Sequence, residues 1–118
     1  MSKRSKGTQG ENLAARLLKD SGYTILERNY RFGRGEIDLV ARDGEELVFV
    51  EVKARHSSAY GAPEESITRS KEAQLKKVAE AYLYERNIEN QSCRFDVVAI
   101  TYQHKTPVLR LIQNAFPA

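Results

Sequence analysis

Apolar residues are arranged along this chain in two different ways. Between Gln9 and Ser21 they follow a helix: Ala14, Leu17 and Leu18 form a stripe, with Ala15 beside it and Asn12, Arg16 and Lys19 facing water. Gly22 is a natural helix stop. From Tyr23 the helical spacing gives way to short apolar runs. Tyr23–Phe32 is rich in aromatic and β-branched residues and reads as a strand, Gly33 and Gly35 punctuate, and Glu36–Arg42 and Glu45–Arg55 read as a second and a third strand. Asp43-Gly44 is a tight-turn signal between the last two. A second helix is predicted over Thr68–Arg86, where Leu75, Val78, Ala79, Tyr82 and Leu83 are spaced i, i+3, i+4, i+7 and i+8. Arg94–Tyr102 reads as a fourth strand, Pro107 as a break and Val108–Ile112 as a fifth strand. Residues 1–8 are small, polar and basic and are expected to be disordered. The order α-β-β-β-α-β-β predicts one α/β domain over residues 9–118, a mixed central sheet flanked by helices.

Turn geometry changes how the third and second strands are read. With Asp43-Gly44 as a two-residue turn, Arg42 faces Glu45, Val40 faces Leu47 and Glu36 faces Glu51. Alternation then puts Glu36, Asp38, Glu51 and Lys53 on one face, with Asp38 and Glu51 diagonal neighbours roughly 7–8 Å apart at the backbone. Ile37, Leu39 and Ala41 lie on the other face against Val48, Val50 and Val52, and need a helix to cover them. Carboxylates held together in an apolar sheet repel, and burial raises the pKa of at least one. A divalent cation relieves both effects. Mg²⁺ and Mn²⁺ favour oxygen ligands. Asp38, Glu51 and the Val52 carbonyl are candidate ligands, joined by Glu11 or Glu36 directly or through water. Lys53, on the same face, is placed to orient an attacking water or neutralise a phosphate. The plainer alternative is a cross-strand ladder of ion pairs that includes Arg34. It accounts less well for strands this apolar and for three acids set against two cations.

Composition narrows the partners. The 118 residues are 41% hydrophobic and 30% charged, and 19 Lys and Arg against 16 acids give +3 and a pI near 9.1. A basic balance is compatible with a polyanion. Cations gather at Lys3, Arg4 and Lys6, at Arg28, Arg31 and Arg34, and at Lys53, Arg55, Arg69, Lys71, Lys76 and Lys77. Arg34, Arg55, Arg69 and Lys71 are the candidate phosphate contacts. Cys93 is the single cysteine, which excludes an internal disulfide and a thiol-rich metal site. His56 and His104 belong to no metal-binding pattern. No stretch is long and apolar enough to span a membrane, and MSKRSKGTQG lacks the apolar run of a secretory signal, so a cytoplasmic protein is expected. Tyr60 is expected to close a loop and Asp96 to pair with Arg94. Gly33 and Gly35 open no phosphate loop, because no GxxxxGK[ST] follows.

Asp38, twelve residues, then Glu51-Val52-Lys53 resembles the D-(x)n-(D/E)-x-K motif of restriction-endonuclease-like nucleases, the PD-(D/E)xK superfamily, whose core order is αβββαβ. Archaeal Holliday-junction resolvases are similar, including a glutamate on the first helix. More narrowly, GxxGE at Gly7–Glu11, GEIDLVARDG, FVEVKAR, Tyr60-Gly61, Lys71, RFDVVAI and NAF resemble the uncharacterised bacterial YraN family over nearly the whole chain. The resemblance implies a nuclease with Asp38 and Glu51 as ligands of Mg²⁺ or Mn²⁺, Lys53 as the catalytic lysine and Glu11 as an accessory acid. The substrate it implies is DNA, in branched or damaged forms, with a homodimer able to address two strands. Ile37 stands where the motif has proline, and Lys71-Glu72 with Gln74 nearby stands where a lysine-glutamine pair is expected. The alternative function is a non-catalytic nucleic-acid-binding module of a repair or processing complex.

Overall fold

The computed structural model describes residues 3–56 and 61–118, so Tyr60 lies outside the described residues. Two helices and five strands follow in the order α1 (Lys3–Asp20), β1 (Thr24–Phe32), β2 (Gly35–Asp43), β3 (Glu46–Arg55), a 3-10 turn (Pro63–Ser66), α2 (Arg69–Glu85), β4 (Cys93–Gln103) and β5 (Thr106–Phe116). The strands lie side by side in chain order. All neighbours are antiparallel except β3 and β4, which are parallel and joined through α2, the crossover that a parallel pair demands. No helix among the described residues is long and apolar enough to cross a membrane.

Each face of the sheet carries its own core. Ala14, Ala15 and Leu18 of α1 pack with Leu39, Ala41, Val48, Val50, Val98 and Ile100. Leu75, Val78, Ala79 and Tyr82 of α2 pack with Tyr30, Val40, Leu47, Phe49, Phe95 and Phe116 on the other side. Burial on both faces explains why the β2 and β3 sequences are nearly continuously apolar. Thr68 caps α2, its hydroxyl accepting from the Lys71 N–H at 3.1 Å.

Four features differ from the sequence reading. Helix α1 begins at Lys3, so most of the stretch expected to be disordered is helical, while residues 1–2 lie outside the described residues. A helix already packed through its apolar stripe extends cheaply, since each added residue gains a backbone bond. Pro107 does not break the chain. It sits in β5 opposite Tyr102, on an edge strand that needs no donor on its outer side, so β5 runs on to Phe116. The β2–β3 turn is Gly44-Glu45, not Asp43-Gly44, because Asp43 pairs with Glu46 and Val40 with Phe49. Gly44 has φ 61° at the first turn position, where a type II′ hairpin requires glycine. Arg94 explains the choice: in this register Asp43 and Glu46 face each other, and both bond its guanidinium at 2.9 Å. A shift of two residues leaves every side chain on its expected face. The fourth difference breaks that rule locally. Ile37 packs on the α2 side together with Val40, three residues away, so the alternation of β2 slips between them. Ile37 is therefore not in the layer with Leu39 and Ala41, as alternation predicted.

Gly35 lets α2 approach this slipped segment. A Cβ there would overlap Val78 Cγ2 and lie 3.2 Å from Gln74 Cγ. Gly35→Ala is expected to destabilise the protein by about 1–3 kcal/mol through overpacking. In urea denaturation the Gly35→Ala/Val78→Ala double variant should be more stable than the sum of the single losses predicts, because the second change removes the clash.

Candidate functional site

The β2–β3 ladder is regular from Asp43–Glu46 to Leu39–Val50. One step further, Asp38 stands across from Glu51, and there a side chain takes over: the Val52 N–H donates to Asp38 Oδ2 at 2.8 Å. Strand β1 helps to place the same residue. Arg28 pairs with Leu39 and Tyr30 with Ile37, so Asn29 stands across from Asp38. Asn29 has φ 54°, a left-handed conformation that asparagine tolerates better than most residues.

Acids converge on Asp38 from two directions. Glu11 of α1, Glu36 and Asp38 each bring a carboxylate oxygen within 4.8 Å of the others. Glu11 accepts from the Asn29 amide at 2.9 Å, and Glu36 accepts from Arg31 Nε at 3.1 Å. Glu51 lies outside that trio and faces α2. It is only 5% exposed, and its Oε2 is 3.4 Å from Lys71 Nζ and 3.9 Å from Lys53 Nζ. Asp38, at the slip in β2, reaches both groups.

Charge is unevenly compensated. Four carboxylates meet three cations, and among the described residues neither Asp38 nor Glu11 has an ion-pair partner. Burial pushes the Asp38 carboxyl up to about 8, and its hydrogen bond to Glu51 and the Glu51 charge push the same way; the Val52 N–H and Lys71 oppose them. Burial also raises Glu11, opposed by the Asn29 amide and reinforced by the charges of Asp38 and Glu36. The group is thus an oxygen-donor set short of positive charge, which suits a hard divalent cation.

The other expected residues are distributed unevenly. Lys71, expected as a phosphate contact, is drawn into the site by Glu51. Val52 enters through its N–H, whereas its carbonyl is the group expected as a ligand. Arg34 is exposed in the β1–β2 turn, Arg69 is exposed at the first turn of α2, and Arg55 is half-buried at the end of β3 beside Thr101. Gln74 donates to the Arg34 carbonyl over a long 3.5 Å. Asp96 pairs with Arg94 as expected: Arg94 Nε donates to Oδ1 at 2.9 Å, and Tyr23 Oη donates to Oδ2 at 2.7 Å. Sequence reasoning missed Asn29 and the pairing of Arg31 with Glu36. The available signal was Asn29 itself, a poor strand former inside YTILERNYRF.

The model of one family, described as uncharacterised protein family UPF0102, matches residues 10–100. The chain is similar to UPF0102 proteins from Moorella thermoacetica, 48% identical over 98% of each chain, and Symbiobacterium thermophilum, 49% identical over 98% of each. One from Caldicellulosiruptor saccharolyticus is 46% identical over 98% of this chain and all of the relative.

The raised Asp38 carboxyl makes stability depend on pH. Between the unfolded value near 3.8 and the folded value near 8 the folded chain holds a proton that the unfolded chain has released. Stability therefore falls as pH rises through that window and levels off above it. Thermal unfolding without divalent cations from pH 4 to 9 should show this slope in the wild type, and Asp38→Asn should lose it.

Proposed function

This chain belongs to the uncharacterised protein family UPF0102, and we propose that it is a Mg²⁺- or Mn²⁺-dependent nuclease of the restriction-endonuclease-like class that hydrolyses phosphodiester bonds in DNA. The observation that carries this reading is the pairing of half-buried Asp38 with buried Glu51 across the end of the ladder, with no ion-pair partner for Asp38 among the described residues. The sheet of five strands in chain order, with a helix on each face, is compatible with that class.

Asp38 and Glu51 are the residues to hold the cation, with Glu11 and Glu36 completing the acidic wall. A divalent ion held there would supply a water of lowered pKa and positive charge for a phosphoryl oxygen. Lys53 keeps its ammonium beside Glu51 and about a third exposed, positioned to hydrogen-bond a nucleophilic water or a phosphate oxygen. Lys71 holds Glu51 from the α2 side and limits its rotation. Arg34 and Arg69 are exposed on the α2-side rim and supply sequence-independent phosphate contacts. A domain of this size is better suited to recognising branched or damaged DNA by its backbone path than to reading a base sequence. A second copy would supply a site for the second strand.

One observation favours a non-catalytic nucleic-acid-binding module instead: two lysines already neutralise Glu51. Incubation of branched and linear DNA with Mn²⁺ or EDTA separates the two. Cutting with Mn²⁺, abolished by EDTA and by Asp38→Asn, is the expected result; metal-independent binding without cutting gives the module. Independently of cutting, Mn²⁺ should raise the melting temperature of the wild type and leave Asp38→Asn unmoved, since a ligand stabilises only the state that binds it. Lys53→Met should keep the Mn²⁺ shift while slowing cleavage by about 10²–10³, the usual loss for one transition-state donor.

A further inference from the structure

Beside the acidic site, between the β1–β2 turn and the exposed side of α2, lies an open hollow of about 430 Å³. That lies within the roughly 300–1,000 Å³ of small-ligand sites. Gly35 and Val78 form its floor, and Phe32, Arg34, Ser70 and Lys77 stand around it. None of its lining residues is acidic, although the chain carries 16 acids. Neither Arg34 nor Lys77 has an ion-pair partner among the described residues, so both cations are available to an anion. Phe32 is 51% exposed on the same rim, an unusual setting for a phenyl ring.

We propose that this hollow seats an unpaired nucleotide of the nucleic-acid strand next to the one bound at the acidic site, with Phe32 stacking on the base and Arg34 and Lys77 holding the phosphates. This rests on the nucleic-acid reading above and narrows it to strands with unpaired bases. Three observations converge on it. The hollow pairs an aromatic face with cations, the combination that single-strand binders use. It adjoins the site along both elements: Gly35 precedes Glu36, and Lys71 lies six residues before Lys77 on α2, about 9 Å along the helix. A base stacked inside a duplex cannot offer its face to Phe32, so the ring discriminates for loops, flaps and junctions. A second copy of the chain inserting an apolar side chain would account for Phe32 but not for the unpaired cations and missing acids.

The test is fluorescence anisotropy with labelled oligothymidylate and with a blunt duplex, in EDTA so that nothing is cut. Phe32→Ala should weaken oligothymidylate binding about fivefold or more, as loss of one stacked base does. It should leave duplex binding and the salt dependence unchanged, and Phe32→Tyr should restore binding. Arg34→Glu/Lys77→Glu should weaken both ligands and flatten the salt dependence. Phe32 is half-exposed, so far-UV circular dichroism should match the wild type; if it does not, Lys77→Glu alone, at a surface position, carries the test through its salt slope. Equal single-strand affinity for Phe32→Ala and wild type overturns the subsite. So does an equal loss on duplex, or sedimentation showing that Phe32→Ala dissociates a dimer. Wild type that binds oligothymidylate through Phe32 but never cuts DNA with Mn²⁺ overturns the hydrolytic reading and upholds the subsite. Wild type that binds no nucleic acid overturns both.

Discussion

The hydrogen bond from the Val52 N–H to Asp38 stands where a backbone carbonyl would otherwise continue the β2–β3 ladder. A backbone donor inside a sheet needs an acceptor, and few arrangements leave one unpaired. A carboxylate meets that need with a stronger bond than a neutral carbonyl makes. It also imports a charge beside Glu51, and the two carboxylates repel. Lys71 and Lys53 answer the charge on Glu51, while Asp38 is left to hold a proton or another cation. The slip in β2, the left-handed Asn29 opposite it and the glycine that admits α2 are the local conditions under which this residue can stand there.

The neighbouring strand β4, where Asp96 pairs with Val50 next to Glu51, shows what complete compensation looks like. Asp96 is 1% exposed, more deeply buried than Asp38, yet its oxygens accept from Arg94, from the Tyr23 hydroxyl and from the Asn114 N–H. Arg94 also bonds Asp43 and Glu46, so one guanidinium joins the β2–β3 turn to β4. A buried charge held by a rigid, multiply bonded partner is a structural device. Against this internal standard the Asp38–Glu51 pair is incompletely compensated, and that shortfall distinguishes it from an ordinary ion-pair ladder.

Much of the fold was legible because the chain is locally consistent. The helical spacing of apolar residues marked both helices, and short apolar, aromatic and β-branched runs marked the five strands. The turn between β2 and β3 was misplaced by one position at each end, because Asp43-Gly44 and Gly44-Glu45 both satisfy the glycine, and the choice rests with Arg94, some fifty residues away. Pro107 misled for a related reason: whether a proline breaks a strand depends on whether that strand is at an edge, which is a property of the sheet. At the site, Asp38 and Glu51 were legible as neighbours because a two-residue register shift preserves side-chain parity. Glu36, beyond the slip at Ile37, joins Glu11 and Asp38 and not Glu51 as alternation predicted.

By itself, then, the sequence determined which residues carry charge into the sheet and that the acids of β2 and β3 meet. Alternation along a strand is a local rule, and the hairpin turn brings the strands together whatever the rest does. Only the tertiary structure decided that Glu11 and Asn29 join Asp38, that Lys71 reaches Glu51, and that Ile37 turns from one core to the other. Those contacts are made between elements far apart in the chain. They depend on how closely α1 and α2 settle on the sheet, and side-chain volume and the missing Cβ of Gly35 set that distance.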